Sequence, residues 1–109
     1  MELITTCAID VPTLEAVITA LFNTEYNDGN FAVLAEITYN DGEVENVPVS
    51  VNLPEKASML NPPKEFFLKN WSEGKPLADA LLQSGLIKET KTSVTSGFVT
   101  VPIVSLTVS

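Results

Sequence analysis

Two near-identical tetrapeptides, Asn27-Asp28-Gly29-Asn30 and Asn40-Asp41-Gly42-Glu43, each follow a tyrosine and separate runs rich in β-branched and aromatic residues. Asp-Gly between such runs marks a hairpin, because a tight reversal needs the positive φ that glycine, and to a lesser degree Asn and Asp, tolerate. Three consecutive antiparallel strands follow from this pair of turns. In the middle one, Phe31, Val33, Ala35, Ile37 and Tyr39 alternate with positions that include Glu36, Thr38 and Asn40, the period of a half-buried strand. In the next, Val47, Val49, Val51 and Leu53 form an apolar face opposite Pro48, Ser50 and Asn52. Pro48 has no backbone donor, so its side of that strand is expected to be unpaired.

The segment before the first turn has two readings. Leu14, Val17, Ile18 and Leu21 have helical spacing, whereas Leu14, Ala16, Ile18, Ala20 and Phe22 alternate. Pro12 suits a helix start, but Val17, Ile18 and Thr19 are β-branched and run straight into a hairpin, which favours strand without closing the choice. Residues 3–9 read as a short strand with Leu3, Thr5, Cys7 and Ile9 on one side. Pro54, Asn61, Pro62 and Pro63 make 54–64 a loop, and Phe66 to Trp71 a short strand. One helix begins near Pro76, turns Leu77, Leu81 and Leu82 to a core and stops at Gly85. Lys88 to Ser96 is polar. Phe98 to Val104 is apolar on both faces, which predicts cover on both, and Pro102 within it argues for an edge or a bulge. Trp71 reads as packing at the core or helix edge.

The expectation is therefore one α+β domain over residues 1–109: an antiparallel sheet of about five or six strands with one helix, near 76–84, packed on a face. With 45% apolar and 18% charged residues, the chain has enough to bury and does not resemble a disordered one.

Charge is distributed unevenly. Fourteen acids stand against six lysines, with no arginine or histidine, for a net charge of −8. Residues 1–55 hold ten of the acids and no base, and all six lysines follow from Lys56 onward. Such sign asymmetry points to an interaction surface or to solubility.

The run Thr24-Glu25-Tyr26-Asn27-Asp28-Gly29-Asn30-Phe31-Ala32-Val33, the strand ending Val49-Ser50-Val51-Asn52-Leu53-Pro54, and Ser96-Gly97-Phe98-Val99-Thr100-Val101-Pro102 resemble an uncharacterised domain-of-unknown-function family. It comprises small proteins carried by phages and conjugative elements. The resemblance covers roughly residues 14 to 107 and implies strand rather than helix for 14–26. It carries no catalytic residues over. The chain departs from the family pattern in having no arginine or glycine-rich basic stretch before Ser96, so no basic contact is carried over there.

No reactive side chain stands in a catalytic or ligating pattern. Without histidine there is no Ser-His or Cys-His nucleophile pair. Cys7 lies on an apolar strand and reads as a small buried residue, and Lys91 with Ser93 as part of a polar loop. Asp41, Glu43 and Glu45 lack the ligand order of a calcium loop, and Gly74-Lys75-Pro76 lacks that of a phosphate loop. No cofactor, metal or catalytic activity is expected. Direct nucleic-acid binding needs concentrated Lys or Arg, and Lys56, Lys64, Lys69 and Lys75 read as ordinary solubilising charges. The single cysteine, and the lack of a basic-then-apolar start or a long apolar run, fit a cytoplasmic protein that does not engage membranes.

The leading expectation is a binding protein whose hairpin tips gather Glu25, Asp28, Glu36, Asp41, Glu43 and Glu45 in one region facing a basic surface on a host protein. With the mobile-element resemblance, the implied target is a nucleic-acid-handling defence complex, of restriction or CRISPR type, inhibited by an acidic mimic of the phosphate backbone. The alternative is a self-associating structural or accessory protein, a homodimer paired through the apolar C-terminal strand.

Overall fold

Seven antiparallel strands and one α-helix make up the α+β fold of residues 1–108, the span described by the computed structural model. The strands are β1 (Glu2–Val11), β2 (Ala16–Glu25), β3 (Phe31–Tyr39), β4 (Val44–Pro48), β5 (Glu65–Phe67), β6 (Ile87–Ser96) and β7 (Val99–Leu106), and the helix is α1 (Lys75–Ser84). They form two sheets rather than one. The first has the order β1-β2-β3-β4 and the second β5-β7-β6, with α1 packed between them.

Residues 16–25 are strand, with β1 on one side and β3 on the other. Pro12 opens only a 3-10 turn, Pro12–Leu14, which ends at Glu15 in the left-handed region with φ 53°. The helical look of the segment has a physical cause. A bulge between Ile18 and Ala20 inserts Thr19, so the buried side chains Ile18 and Leu21 stand three apart instead of two or four. Irregularities in β1 do the same to Leu3. It pairs with Phe22 and points away from the core, with Ile4, Cys7 and Ile9 packed inward.

β4 pairs with β3 only as far as Pro48, on the open edge that its missing donor suggested. Beyond it the chain crosses to the second sheet. Val49 N donates to Val33 O (3.0 Å), Lys69 N donates to Val49 O (2.9 Å), and Val51 N donates to Phe67 O (3.0 Å). Val49 and Leu53 are buried as their alternation required, but Ser50, expected on the open side, is 3% exposed at this crossing.

β7 is the central strand of its sheet. Pro102 therefore marks no edge. Its missing N–H is accommodated by a bulge in the neighbouring β6, between Glu89 and Ser93, where Lys91 takes φ 70°. The polar stretch 88–96 is thus a bulged strand rather than a loop. β6 pairs with β7 from Val99 to Leu106, and β5 flanks its other side along Ile103 to Ser105.

Both faces of β7 are covered. Val104 and Leu106 join Ile18, Leu21, Val33, Ile37, Phe66, Leu77, Leu81 and Ile87 in a core between the sheets and α1. Val101 and Ile103 join Leu53, Phe67 and Val94 in a second cluster, against which Val51, Leu60 and Trp71 pack. α1 ends at Gly85 with φ 83°, whose N–H bonds to Leu82 O. Among the described residues, no helix is long and apolar enough to cross a membrane.

Candidate functional site

The two repeated turns close identically. Gly29 N donates to Tyr26 O and Gly42 N to Tyr39 O, both at 2.9 Å, while Tyr26 N donates to Asn30 O and Tyr39 N to Glu43 O, both at 2.8 Å. Glycine alone takes the positive φ, 85° and 93°, so these are three-residue loops with a glycine bulge rather than two-residue turns with Asp in a left-handed conformation. In each, the aspartate caps its own loop: Asp28 Oδ1 accepts from Asn30 N (3.0 Å) and Asp41 Oδ1 from Glu43 N (2.9 Å).

Beyond the loop, the two carboxylates part company. Asp28 Oδ2 also accepts from Asn52 Nδ2 (2.8 Å) and Asn30 Nδ2 (3.3 Å), and Asn30 Nδ2 approaches Asn52 Oδ1 (3.2 Å). The bond from Asn52 foremost, and then the one from Asn30 N–H, hold the Asp28 carboxyl below the usual range. Nearby, the half-buried Tyr26 hydroxyl meets Ser50 Oγ at 2.7 Å, and Ser50 Oγ accepts from Val33 N at 3.0 Å. Burial foremost raises the Tyr26 phenol. Asp28 is thereby committed to fastening its hairpin onto the crossing segment.

The second turn is tied to the rest of the protein through its backbone at Asn40, and Asp41 has no side-chain partner outside its own loop. Tyr39 OH donates to Glu45 Oε2 across 3.2 Å, and its phenol is raised first by desolvation and then by the charges of Glu45 and Asp41. Asp41, Glu43 and Glu45 are exposed.

The six expected residues do not gather in one region. Successive hairpins of an antiparallel meander turn at opposite ends of the sheet, so Glu25 and Asp28 lie at one end of β3 and Asp41, Glu43 and Glu45 at the other. Nine residues separate the ends, about 30 Å of strand at roughly 3.3 Å per residue. Glu36 stands between them, where Thr19 Oγ1 donates to Glu36 Oε1 (2.8 Å) and meets Thr38 Oγ1 (3.2 Å). The Asp41 end also recruits two acids that sequence reasoning missed. Asp10 and Glu15 line a shallow depression with Asn40, whose N–H donates to Glu15 O at 2.9 Å. The signal was available: paired β1 and β2 bring the start of β2 alongside the end of β3. Among the described residues, no group of three or more Asp, Glu, Cys or His side chains is arranged to hold a metal ion.

The charge asymmetry of the sequence becomes one of space. The first sheet is built wholly from residues 2–48, which contain acids and no base. Both ion pairs of the described residues, Lys69–Glu73 (2.6 Å) and Lys75–Asp79 (3.1 Å), lie outside it. The carboxylates of the first sheet are thus balanced by no lysine in contact. Cys7 lies on the core side of this sheet, donates weakly to Ile18 O (3.4 Å), and has its thiol pushed up by burial, which disfavours the reactive thiolate.

No family model matches the chain, and it has no match among the curated proteins or the solved structures.

Proposed function

We propose that this protein is a small, non-enzymatic binding protein that acts in the cytoplasm by occupying a basic surface on a partner protein. The observation that supports this is the first sheet, whose strands and turns carry carboxylates from one end to the other and not one lysine in contact. Together with the sequence resemblance to proteins of phages and conjugative elements, it favours a nucleic-acid-handling host defence complex, of restriction or CRISPR type, as the target. A surface that binds the phosphate backbone accepts an array of carboxylates by the same charge attraction.

The separation of the acids extends the reading. Two acidic ends about 30 Å apart, joined by Glu36, suit an elongated groove better than a single basic pocket. Attraction of this kind raises association rates by about tenfold to a thousandfold and weakens with salt, since screening acts over about 8 Å at physiological ionic strength.

The test is capture from host lysate at low salt, followed by affinity measurement with a variant carrying Asp41→Asn, Glu43→Lys and Glu45→Lys. Asp28 is left intact because it fastens a hairpin. The expected result is a nucleic-acid-binding partner that the variant binds about tenfold or more weakly. Recovery of no such partner, or equal binding by the variant, would overturn the proposal.

A further inference from the structure

The side chains of β1–β4 that point away from the core are not the polar set that a water-facing sheet carries. Register aligns Leu3 with Phe22, Phe22 with Leu34, and Leu34 with Pro48, giving one apolar row across all four strands. A second row runs Asp10, Val17, Thr38, Val44, and between the two lies Thr6, Ala20, Glu36, Asn46. Directly paired residues share a face of the sheet. Leu3, Phe22, Leu34, Val44 and Pro48 belong to neither core cluster, and Leu3 and Val44 remain 55% and 60% exposed.

We infer that this outer face docks a partner protein presenting an apolar patch bordered by lysine or arginine. The inference rests on the binding role proposed above and says which surface performs it. Charge selects the occupant. The face has Glu36 at its middle and Asp10 toward one end, and its four strands carry no base. A second copy stacked face to face, at the roughly 10 Å spacing of packed sheets, would enclose two Glu36 carboxylates with no cation. Nucleic acid and anionic lipid meet the same repulsion. A partner with Lys or Arg placed against Glu36 and Asp10 removes it, while Phe22 and Leu34 supply the apolar contact. Three strands of nine or ten residues, nearly 30 Å long, and a fourth of five residues, about 4.8 Å apart, give a platform approaching that of a standard interface of about 800 Å² per partner.

The test uses the full-length, isotope-labelled chain and two synthetic peptides of equal positive charge, one alternating Lys with Leu and one alternating Lys with Ser. The Lys-Leu peptide is expected to bind about tenfold tighter, with amide shift changes centred on Leu3, Phe22, Leu34 and Val44. Phe22→Ser with Leu34→Ser should erase the difference between peptides. Because those two side chains are half-buried, Leu3→Ser with Val44→Ser, at positions more than half exposed, provides a second variant whose folding is checked by thermal melting. Equal binding of the two peptides, or shift changes confined to Asp41, Glu43 and Glu45, overturns this inference while leaving the charge-based function standing. Binding of neither peptide at low salt counts against both. Concentration-dependent dimerisation lost in the Leu3 and Val44 variant overturns the choice of occupant in favour of a second copy.

Discussion

The hairpin loops Tyr26–Asn30 and Tyr39–Glu43 share a Tyr-Asn-Asp-Gly sequence and the same closing hydrogen bonds, yet the aspartate of one is fastened to the body of the protein and that of the other faces water. The local motif sets the turn. What the turn is for depends on the segment beside it. The crossing chain at Ser50 and Asn52 reaches the first loop and uses the Asp28 and Tyr26 side chains as attachment points, whereas the second loop is reached only at its backbone, where Asn40 N bonds to Glu15 O. A repeated motif therefore yields one structural carboxylate and one presented to the surroundings.

The largest expected break in this comparison comes from Ser50→Val. It leaves the buried Val33 N–H without its side-chain acceptor and removes the partner of Tyr26, a loss of about 2–3 kcal/mol measurable by urea unfolding. Tyr39→Phe, its counterpart at the second loop, removes only an exposed bond and should change stability by less than about 0.5 kcal/mol. Next come Gly29→Ala and Gly42→Ala. A Cβ at either meets nothing within 4 Å, so only the positive φ is penalised, at about 1–2 kcal/mol, equally in the two. Unequal losses would show that the loops are not the same structure.

The third contrast is with pH. Because the folded protein lowers the Asp28 carboxyl pKa, the stability it contributes is complete above its unfolded value of about 4 and disappears as pH falls through the lower, folded one. Asp28→Asn should therefore lower the urea midpoint at neutral pH, with the gap to the wild type narrowing in acid. A constant gap would mean that the Asn52 and Asn30 bonds do not favour the charged form. The smallest effect on stability is expected from Asp41→Asn with Glu43→Lys and Glu45→Lys, about 0.5 kcal/mol or less in either direction.

Much of the fold could be read from residue order. Asp-Gly turns, alternating valines and the Pro76-to-Gly85 helix all express local chemistry, and local chemistry decided them. The division into two sheets could not, because it depends on Val49 and Val51 changing partners from β3 to the strand after the loop, which no pattern within the segment encodes. The bulge at Thr19 disguised a strand as a helix. Pro102 announced irregularity correctly but not its location, since the bulge lies on the neighbouring strand. For the candidate surface, the exclusion of bases from residues 1–55 was plain in the sequence, whereas the supposed clustering ignored that consecutive hairpins face opposite ways. The apolar row of the outer face emerges only when the four strands are in register.

The claim tested most directly is that the acids of the first sheet recognise a partner rather than merely keep the protein in solution. The measurement is the dissociation constant for the partner captured at low salt, wild type against the Asp41, Glu43 and Glu45 variant, in about 0.15 M salt. A rise of about tenfold or more is expected, with folding stability altered by no more than about 0.5 kcal/mol. An unchanged dissociation constant would contradict it.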